Sequence, residues 1–207
     1  MSPRPKNPPA DRRHEILEAA LRLFAQKGYS ATTNAEIARE AGVTAAALYY
    51  YFPSKEYLFR TAVTEMRSDL EPRVQMTSGD SFHVDPQTLV PQVLQGVIDF
   101  FSQPRTQAIL KIVMAEGQRD QAIARIWEEK MVSFVQAILP YLQHHMQTGR
   151  LKPMDPRVFF LALQGPLMAA VILRDILKIP MLHDLSNEMI VQGVVQTTLP
   201  GLLTKPE

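Results

Sequence analysis

The feature that most constrains the fold is the segment from Thr33 to Lys55, which reads TNAEIAREAGVTAAALYYYFPSK. Thr33 can cap a first short helix, and Glu36 three residues later completes a capping box. Gly42 suits a sharp turn because glycine takes a positive φ without strain, and Thr44 is placed to cap a second helix. The pattern therefore predicts two short helices joined by a tight turn, followed by a run of tyrosines and a lysine.

Two short helices joined in this way form the supersecondary unit that places its second helix in the major groove of DNA. The charge distribution agrees, because residues 1–60 hold nine Lys or Arg against six Asp or Glu, whereas the remainder holds 13 against 15. A basic N-terminal third fits a surface that faces phosphates, although a solvated surface accounts for so modest an excess almost as well. The segment therefore predicts a helix-turn-helix (HTH) that binds DNA.

The whole chain has apolar residues at helical spacing, and no alternating run of β-branched residues indicates a sheet. Besides the two short helices of the HTH, helices are predicted over residues 12–27, 55–71, 86–102, 105–116, 120–148, 156–177 and 186–199. The sixth of these is expected to be interrupted at Gly165-Pro166. The fold class is therefore predicted to be all-α.

Several function classes are excluded by residues that the sequence does not contain. Cysteine is absent, which rules out disulfides and thiolate nucleophiles and fits a reducing cytosol. Neither a nucleophile elbow, a glycine-rich phosphate loop nor an HExxH motif occurs, and the adjacent His144 and His145 cannot chelate one metal from a helix. The first 13 residues lack the apolar core of a signal peptide, and the longest apolar run, 167–173, is far shorter than the roughly 20 residues that span a bilayer. We expect a cytoplasmic protein that is not associated with the membrane. We also expect that it is not an enzyme and binds neither a metal nor a cofactor.

With these elements in order, the chain resembles the TetR/AcrR family of transcriptional regulators. The matching positions lie in about the first 60 residues and are Ile16, Ala19, Ala20, Phe24, Gly28-Tyr29, Thr32-Thr33, Ile37-Ala38, Ala41-Gly42-Val43, Leu48-Tyr49-Tyr50-Tyr51-Phe52, Ser54-Lys55-Glu56 and Leu58. The resemblance implies a homodimer whose two N-terminal HTH domains bind a partly palindromic operator. It also implies a C-terminal domain that dimerises through its last two long helices and holds a small-molecule pocket.

The resemblance sets the expected domain organisation. Residues 1–13 are predicted to form a flexible basic tail, residues 14–60 the three-helix HTH domain that binds DNA, and residues 61–207 the ligand-binding and dimerisation domain. Members of the family are most often repressors that a ligand releases from DNA.

The resemblance also assigns roles at the DNA. Base-reading positions fall at Asn34, Thr44, Ala45, Ala46, Ala47 and Tyr49, and phosphate-contacting positions fall at Thr33, Tyr50, Tyr51 and Lys55. Because residues 45–47 carry no hydrogen-bond donor, reading would rest on methyl contacts with thymine, on the polar members of the set, and on DNA shape.

The predicted effector pocket is formed by aromatic, Met and polar side chains, namely Phe100, Met114, Glu116, Trp127, Met131, Phe134, Gln164 and Met168. Adaptable Met and aromatic side chains suit an apolar ligand, although ordinary core explains each apolar member, and salt bridges or helix ends explain the polar ones equally well. The predicted dimer contacts are Leu161, Gly165, Met168, Ile172, Val191 and Val194, for which internal core is the alternative. Gly165 would allow close helix approach, and the last two helices are too apolar to face water.

Together these observations predict a repressor that binds a palindromic DNA operator as a homodimer and is released by a small apolar effector. One alternative is a DNA-binding regulator that works without an effector. Another is a helical enzyme or scaffold in which the HTH only packs.

Overall fold

The computed structural model describes residues 9–65 and 82–204 of the chain. The helices, numbered in chain order, are α1 (Pro9–Lys27), α2 (Asn34–Glu40), α3 (Ala45–Tyr51), α4 (Lys55–Thr64), α5 (Pro86–Ser102), α6 (Pro104–Glu116), α7 (Gln121–Gln147), α8 (Pro156–Ala170), α9 (Asn187–Thr197) and α10 (Leu199–Leu202). A π-helical stretch, Val171–Ile176, continues α8, and a 3₁₀ turn, Pro180–Leu182, precedes α9. The predicted all-α fold class is confirmed.

Most predicted helix boundaries lie within two residues of those observed, with three differences. Helix α1 begins at Pro9 rather than at residue 12, so residues 9–13 of the predicted tail are helical and residues 1–8 lie outside the described part. Gly165-Pro166 does not interrupt α8, which runs on to Ile176 through the π-helical stretch. The predicted end of the fourth helix, at residues 66–71, also lies outside the described residues.

The described residues divide into two compact units. One, called here the HTH unit, comprises residues 9–65 and 108–130; the other, the C-terminal unit, comprises residues 82–107 and 131–204. The predicted boundary after residue 60 therefore differs from the observed division. Segment 108–130 groups with the HTH helices, and its Ile109, Ile112 and Ile123 are buried.

The HTH unit is held together by α1, which packs against α2 and α4, while α2 packs against α3. Ile16 and Leu17 of α1 are fully buried, as the helical spacing of the apolar residues predicts. The rings of Phe24, Tyr29 and Phe59 cluster, with centroids 5.0 Å to 6.4 Å apart. This apolar core fixes the two short helices of the HTH on a rigid support.

The C-terminal unit is built around α5, which packs against α8 and α9. Phe159, Leu163 and Leu167 form the buried stripe of α8. The continuous helix Pro156–Ile176 has the length and the hydropathy of a bilayer-crossing helix, and 22% of its most apolar stretch is buried. Length and composition alone are weak support for a membrane span, because the core helix of a soluble protein has the same properties.

His145 is a buried titratable group in the C-terminal unit. The side chain is fully buried against the ring of Tyr141, 4.4 Å away, and neither ring nitrogen has a hydrogen-bond partner among the described residues. Burial lowers the pKa of His145, and the charges of His144 and Arg150 lower it further, while Asp85 opposes them. The folded state therefore disfavours the charged form of the imidazole.

We expect the stability of the protein to fall as the pH drops through the ordinary histidine pKa. Below about pH 6.5 the histidine is protonated in the unfolded chain, whereas in the folded protein it is protonated only at lower pH. The free energy of unfolding therefore falls between about pH 6.5 and the folded-state pKa of His145. His145→Phe should flatten urea-determined unfolding free energy between pH 7 and pH 5, whereas His183→Gln, which changes an exposed histidine, should keep the wild-type slope. Equal slopes in wild type and His145→Phe would contradict this assignment.

Candidate functional site

Helix α3 presents most of its surface to solvent. Thr44 caps it by accepting a hydrogen bond from the Ala47 backbone N–H at 3.1 Å. Leu48 is the buried residue of the helix, while Ala45 and Ala46 are exposed. Leu48 thus packs α3 onto the HTH unit, and the face that carries Ala45, Ala46, Tyr49 and Tyr50 is exposed to solvent.

The angle between α2 and α3 is set by the turn that joins them. Gly42 adopts φ +64°, and the Val43 N–H donates to the Ala38 carbonyl at 2.9 Å. The predicted capping box at the start of α2 is formed by Thr33 and Glu36. A hydrogen bond from Lys27, and then those from the Thr33 N–H and hydroxyl, lower the pKa of Glu36 to about 2. At neutral pH the cap is therefore charged and fully formed.

Two residues predicted to read bases are brought together by the structure. The Asn34 side-chain amide donates to the Tyr49 hydroxyl oxygen at 3.1 Å, which links α2 to α3. The Tyr49 side chain is 51% exposed. Because its oxygen already accepts from Asn34, its own O–H is left to donate to a base or phosphate oxygen.

The other two tyrosines of α3 lie on its outward side. Tyr50 is 83% exposed and Tyr51 is half-buried, and their rings meet edge to face with centroids 5.2 Å apart. Neither hydroxyl has a protein partner among the described residues, so both remain available to phosphates.

Lys55 occupies a different environment from the one its predicted role requires. Its ammonium donates to the carbonyl oxygens of Tyr29 at 2.7 Å, Thr32 at 3.0 Å and Ser30 at 3.4 Å. It also lies 4.4 Å from the centre of the Tyr29 ring, and burial lowers its pKa. This geometry disagrees with the predicted phosphate contact, because the ammonium hydrogens are already directed to the loop between α1 and α2.

Glu116, which was predicted to lie in the effector pocket, contacts the same loop. The Ser30 hydroxyl donates to its carboxylate at 3.0 Å. A Cβ on Gly28, which has φ +90°, would come within 2.8 Å of the other carboxylate oxygen. Glycine is therefore favoured at position 28 by its backbone conformation, whereas the flexible Glu116 carboxylate could move away from a Cβ. Glu116 is therefore hydrogen-bonded within the HTH unit, and it does not line the apolar cavity of the C-terminal unit.

The C-terminal unit encloses an apolar cavity of about 30 Å³ between α5, α7 and α8. Its lining residues are Leu89, Val90, Val93, Leu94, Val97, Phe134, Ile138, Tyr141, Leu142, Phe159, Phe160, Leu163 and Gln164. The part of the chain that the structure describes holds no cluster of three or more His, Asp or Glu side chains able to bind a metal ion. The side chains that line the cavity are therefore almost all apolar.

Two of the eight predicted pocket residues, Phe134 and Gln164, line this cavity. The residues that do not line it are Phe100, Met131 and Met168, and also Met114, Glu116 and Trp127 of the HTH unit. Sequence reasoning missed the α5 residues, although Leu89, Val93 and Val97 recur every four residues along one face. It favoured aromatic and Met side chains, whereas the cavity is largely aliphatic.

The predicted dimer contacts separate into an exposed group and a buried group. Leu161 is 64% exposed, and Gly165 is exposed with nothing within 4 Å of the Cβ position. Met168 and Ile172 are half-buried. Val191 and Val194 of α9 are buried within the single chain, so they belong to its core and not to a surface that meets a second copy.

Comparisons with known proteins agree with this geometry. The family model described as bacterial regulatory proteins, tetR family, matches residues 16–62, which include α2, α3 and most of α4. A second model, the C-terminal domain of AefR-like transcriptional repressors, matches residues 89–199, more than half of the chain. The two matches correspond to the HTH segment and to the helices around the cavity.

Individual relatives in sequence are also regulators of transcription. The chain is 33% identical over 152 residues to the probable acrEF/envCD operon repressor of Escherichia coli K12, covering 72% of this chain and 69% of the relative. It is 31% identical over 114 residues to the HTH-type transcriptional regulator AcrR of Shigella flexneri, covering 55% of this chain and only 53% of that relative.

Among solved structures, NalD of Pseudomonas aeruginosa, the secondary repressor of the MexAB-OprM multidrug efflux pump, superposes with a TM-score of 0.70. It is 27% identical, and the match covers 94% of this chain and 98% of NalD. These relatives are transcriptional regulators rather than enzymes, and the chain is likewise a DNA-binding regulator of transcription. By family match, by sequence and by fold, the chain belongs to the tetR family of bacterial regulatory proteins.

Proposed function

We propose that the protein is a cytoplasmic repressor that binds a palindromic operator as a homodimer and is released by a small apolar effector. The observation that carries the proposal is the exposed face of α3, where Tyr49 and Tyr50 project from a helix whose buried residue is Leu48. An HTH recognition helix needs this combination of rigid attachment and a free face.

Contacts with DNA would come from both helices of the HTH. The methyl groups of Ala45, Ala46 and Ala47 let the backbone of α3 approach the floor of the major groove and contact thymine methyls. The linked pair Asn34 and Tyr49 supplies polar contacts at one edge of the same face. The two other tyrosine hydroxyls are placed to bind phosphates, which set the register of the protein on the duplex.

Dimerisation is proposed to use the face of α8 that is not buried in the C-terminal unit. Apolar or small residues recur there at alternating spacings of three and four, at Val158, Leu161, Gly165, Met168 and Ile172. This is the spacing of a helix seam that packs against another helix. An apolar stripe opposite the buried stripe needs a partner to exclude water. A twofold dimer would set its recognition helices about 34 Å apart, one turn of DNA.

Effector binding is proposed to occur in the apolar cavity. At about 30 Å³ the cavity has room for little more than a water molecule, so a larger ligand must bind a widened form of the C-terminal unit. A ligand that binds only this form shifts the population toward it. Release from the operator is proposed to follow from this shift, and helix α7 contributes residues to both units.

The small volume of the cavity also favours a second candidate, a regulator of the same family that needs no effector. Its HTH would bind DNA as proposed, and its cavity would be a packing defect. The two candidates differ only in whether a small molecule changes the affinity for the operator.

Selection of bound duplexes from a random pool tests the proposed function. We expect an enriched, partly palindromic site with half-sites about one helical turn apart, protected by a dimer in footprinting. Repeating the selection with apolar compounds should reduce recovery of that site. Failure to enrich any sequence would remove the DNA-binding proposal, whereas enrichment that no compound alters would favour the effector-independent candidate.

Lys55→Met should weaken operator binding through the structure of the HTH unit. Losing charge-assisted bonds to three loop carbonyls should cost about 1–3 kcal/mol of stability. Because no phosphate contact is lost, the slope of log affinity against log salt should stay unchanged. Thermal unfolding and binding at several salt concentrations measure the two effects.

Lys111→Met is the matched control, because Lys111 is an exposed lysine of the same unit. It should leave stability unchanged. A shallower salt slope for Lys55→Met, by about one unit, would show that Lys55 contacts a phosphate directly in the complex and would restore its originally predicted role.

A further inference from the structure

The polar content of the cavity defines the chemical class of the effector. We propose that the cavity takes an uncharged, largely apolar molecule carrying one hydrogen-bond donor, and that Gln164 recognises this donor. This inference rests on the proposed function, because it assigns a ligand class to the site through which release from DNA is proposed to occur.

Gln164 is one of two polar side chains in an otherwise apolar lining. Its side-chain oxygen is buried and has no hydrogen-bond partner among the described residues. The other polar side chain of the lining, Tyr141, already donates its hydroxyl proton to the Val84 carbonyl at 2.9 Å. A buried amide oxygen without a partner is unfavourable, and a ligand O–H or N–H that reaches it would remove that penalty.

Charged ligands do not fit this lining. None of its thirteen residues carries an ionisable acid or base that is charged at neutral pH. A carboxylate or an ammonium group would therefore lose its hydration without gaining an opposite charge. A hydroxyl or an uncharged N–H needs only the single acceptor that Gln164 offers.

The arrangement of the lining also orients the ligand. Leu89, Val93 and Val97 of α5 provide an aliphatic wall, and the first and last of them are eight positions apart, about 12 Å along the helix axis. Gln164 is contributed by α8, which also supplies Phe159 and Phe160. The donor group would therefore point to α8 while the apolar body lies along α5.

Three probes of similar size and different polarity test the proposal: 4-ethylphenol, 4-ethyltoluene and 4-ethylbenzoate. Calorimetric titration at neutral pH should show that 4-ethylphenol binds the full-length protein roughly 10-fold or more tightly than 4-ethyltoluene, as expected for one satisfied buried acceptor. Binding of 4-ethylbenzoate should be undetectable. Gln164→Leu should lose the preference for the phenol while still binding 4-ethyltoluene.

The control variant is Gln143→Leu, which makes the same change at an exposed position of α7 and should keep the wild-type preference. Equal affinities of the wild type for phenol and toluene, an unchanged preference in Gln164→Leu, or no binding of any probe at millimolar concentration would each overturn the inference. The DNA selection is independent of these titrations. An enriched operator with no probe preference would thus reject the ligand class and leave the regulator proposal intact.

Discussion

Leu161→Lys is expected to convert the protein from a dimer to a monomer and to lower its affinity for a two-half-site operator by about 10²- to 10⁴-fold, the range set by losing the second, linked binding event. Leu161 is the second of the five residues of the apolar stripe described above, with its side chain 64% exposed in the single chain. In a twofold dimer each substitution occurs twice, so two lysines would face one another in an apolar seam.

Sedimentation velocity at micromolar concentration measures the first effect, and titration of a full operator and of a single half-site measures the second. The variant should bind both duplexes with similar, weak affinity. Gln136→Lys adds the same charge at an exposed position of α7 and should remain a dimer. A dimeric Leu161→Lys protein would show that copies of the chain associate through another surface.

Ala46→Asp is expected to reduce operator affinity by about 100-fold or more without unfolding the protein. Ala46 is the second residue of α3 and is exposed. A negative charge at this position would lie against the DNA phosphates, and repulsion between like charges costs several kcal/mol of binding free energy. Near the N-terminus of a helix a carboxylate interacts favourably with the macrodipole, so the fold should be retained.

Gln87→Asp is a matched control because Gln87 is the exposed second residue of α5 and the charge change has the same sign. It should keep operator affinity. Gel-shift titration and thermal unfolding of both variants separate binding from stability. If Ala46→Asp bound the operator normally, α3 would not be the helix that enters the groove.

The HTH could be predicted from the sequence because its signals are local. Thr33 and Glu36 form the capping box that their spacing indicates, and Gly42 adopts the positive φ that the turn requires. Thr44 caps α3 as its position before three alanines suggests. Each of these features depends on residues no more than four apart, so it does not depend on the tertiary packing of the rest of the chain.

The role of Lys55 could not be predicted in the same way, because its partners are distant in sequence. The carbonyls that accept its hydrogen bonds belong to residues 29–32, and a pattern around Lys55 gives no information on them. The same applies to Glu116, whose contact with Ser30 joins residues 86 apart. Local reasoning assigned both side chains to ligands because it could not see these contacts.

The lining of the cavity and the exposed face of α8 were predicted only in part for a related reason. Amphipathic spacing shows that a side is apolar but not whether the same chain or a second copy covers it. Leu161 and Val191 both lie on apolar helices, yet one is exposed and the other is buried. Only the packing of α9 against α5 and α8 distinguishes them.

The three alanines of α3 make the protein a convenient starting point for redirecting operator choice. Their side chains are methyl groups, so in the proposed complex a longer polar residue at 45, 46 or 47 would exchange a methyl contact for a hydrogen bond to a base edge. The caps and the anchor of the helix lie elsewhere, at Thr44 and Leu48, and would be untouched. Single substitutions at these three positions are thus expected to change the DNA sequence that is bound while the fold of the HTH unit is kept.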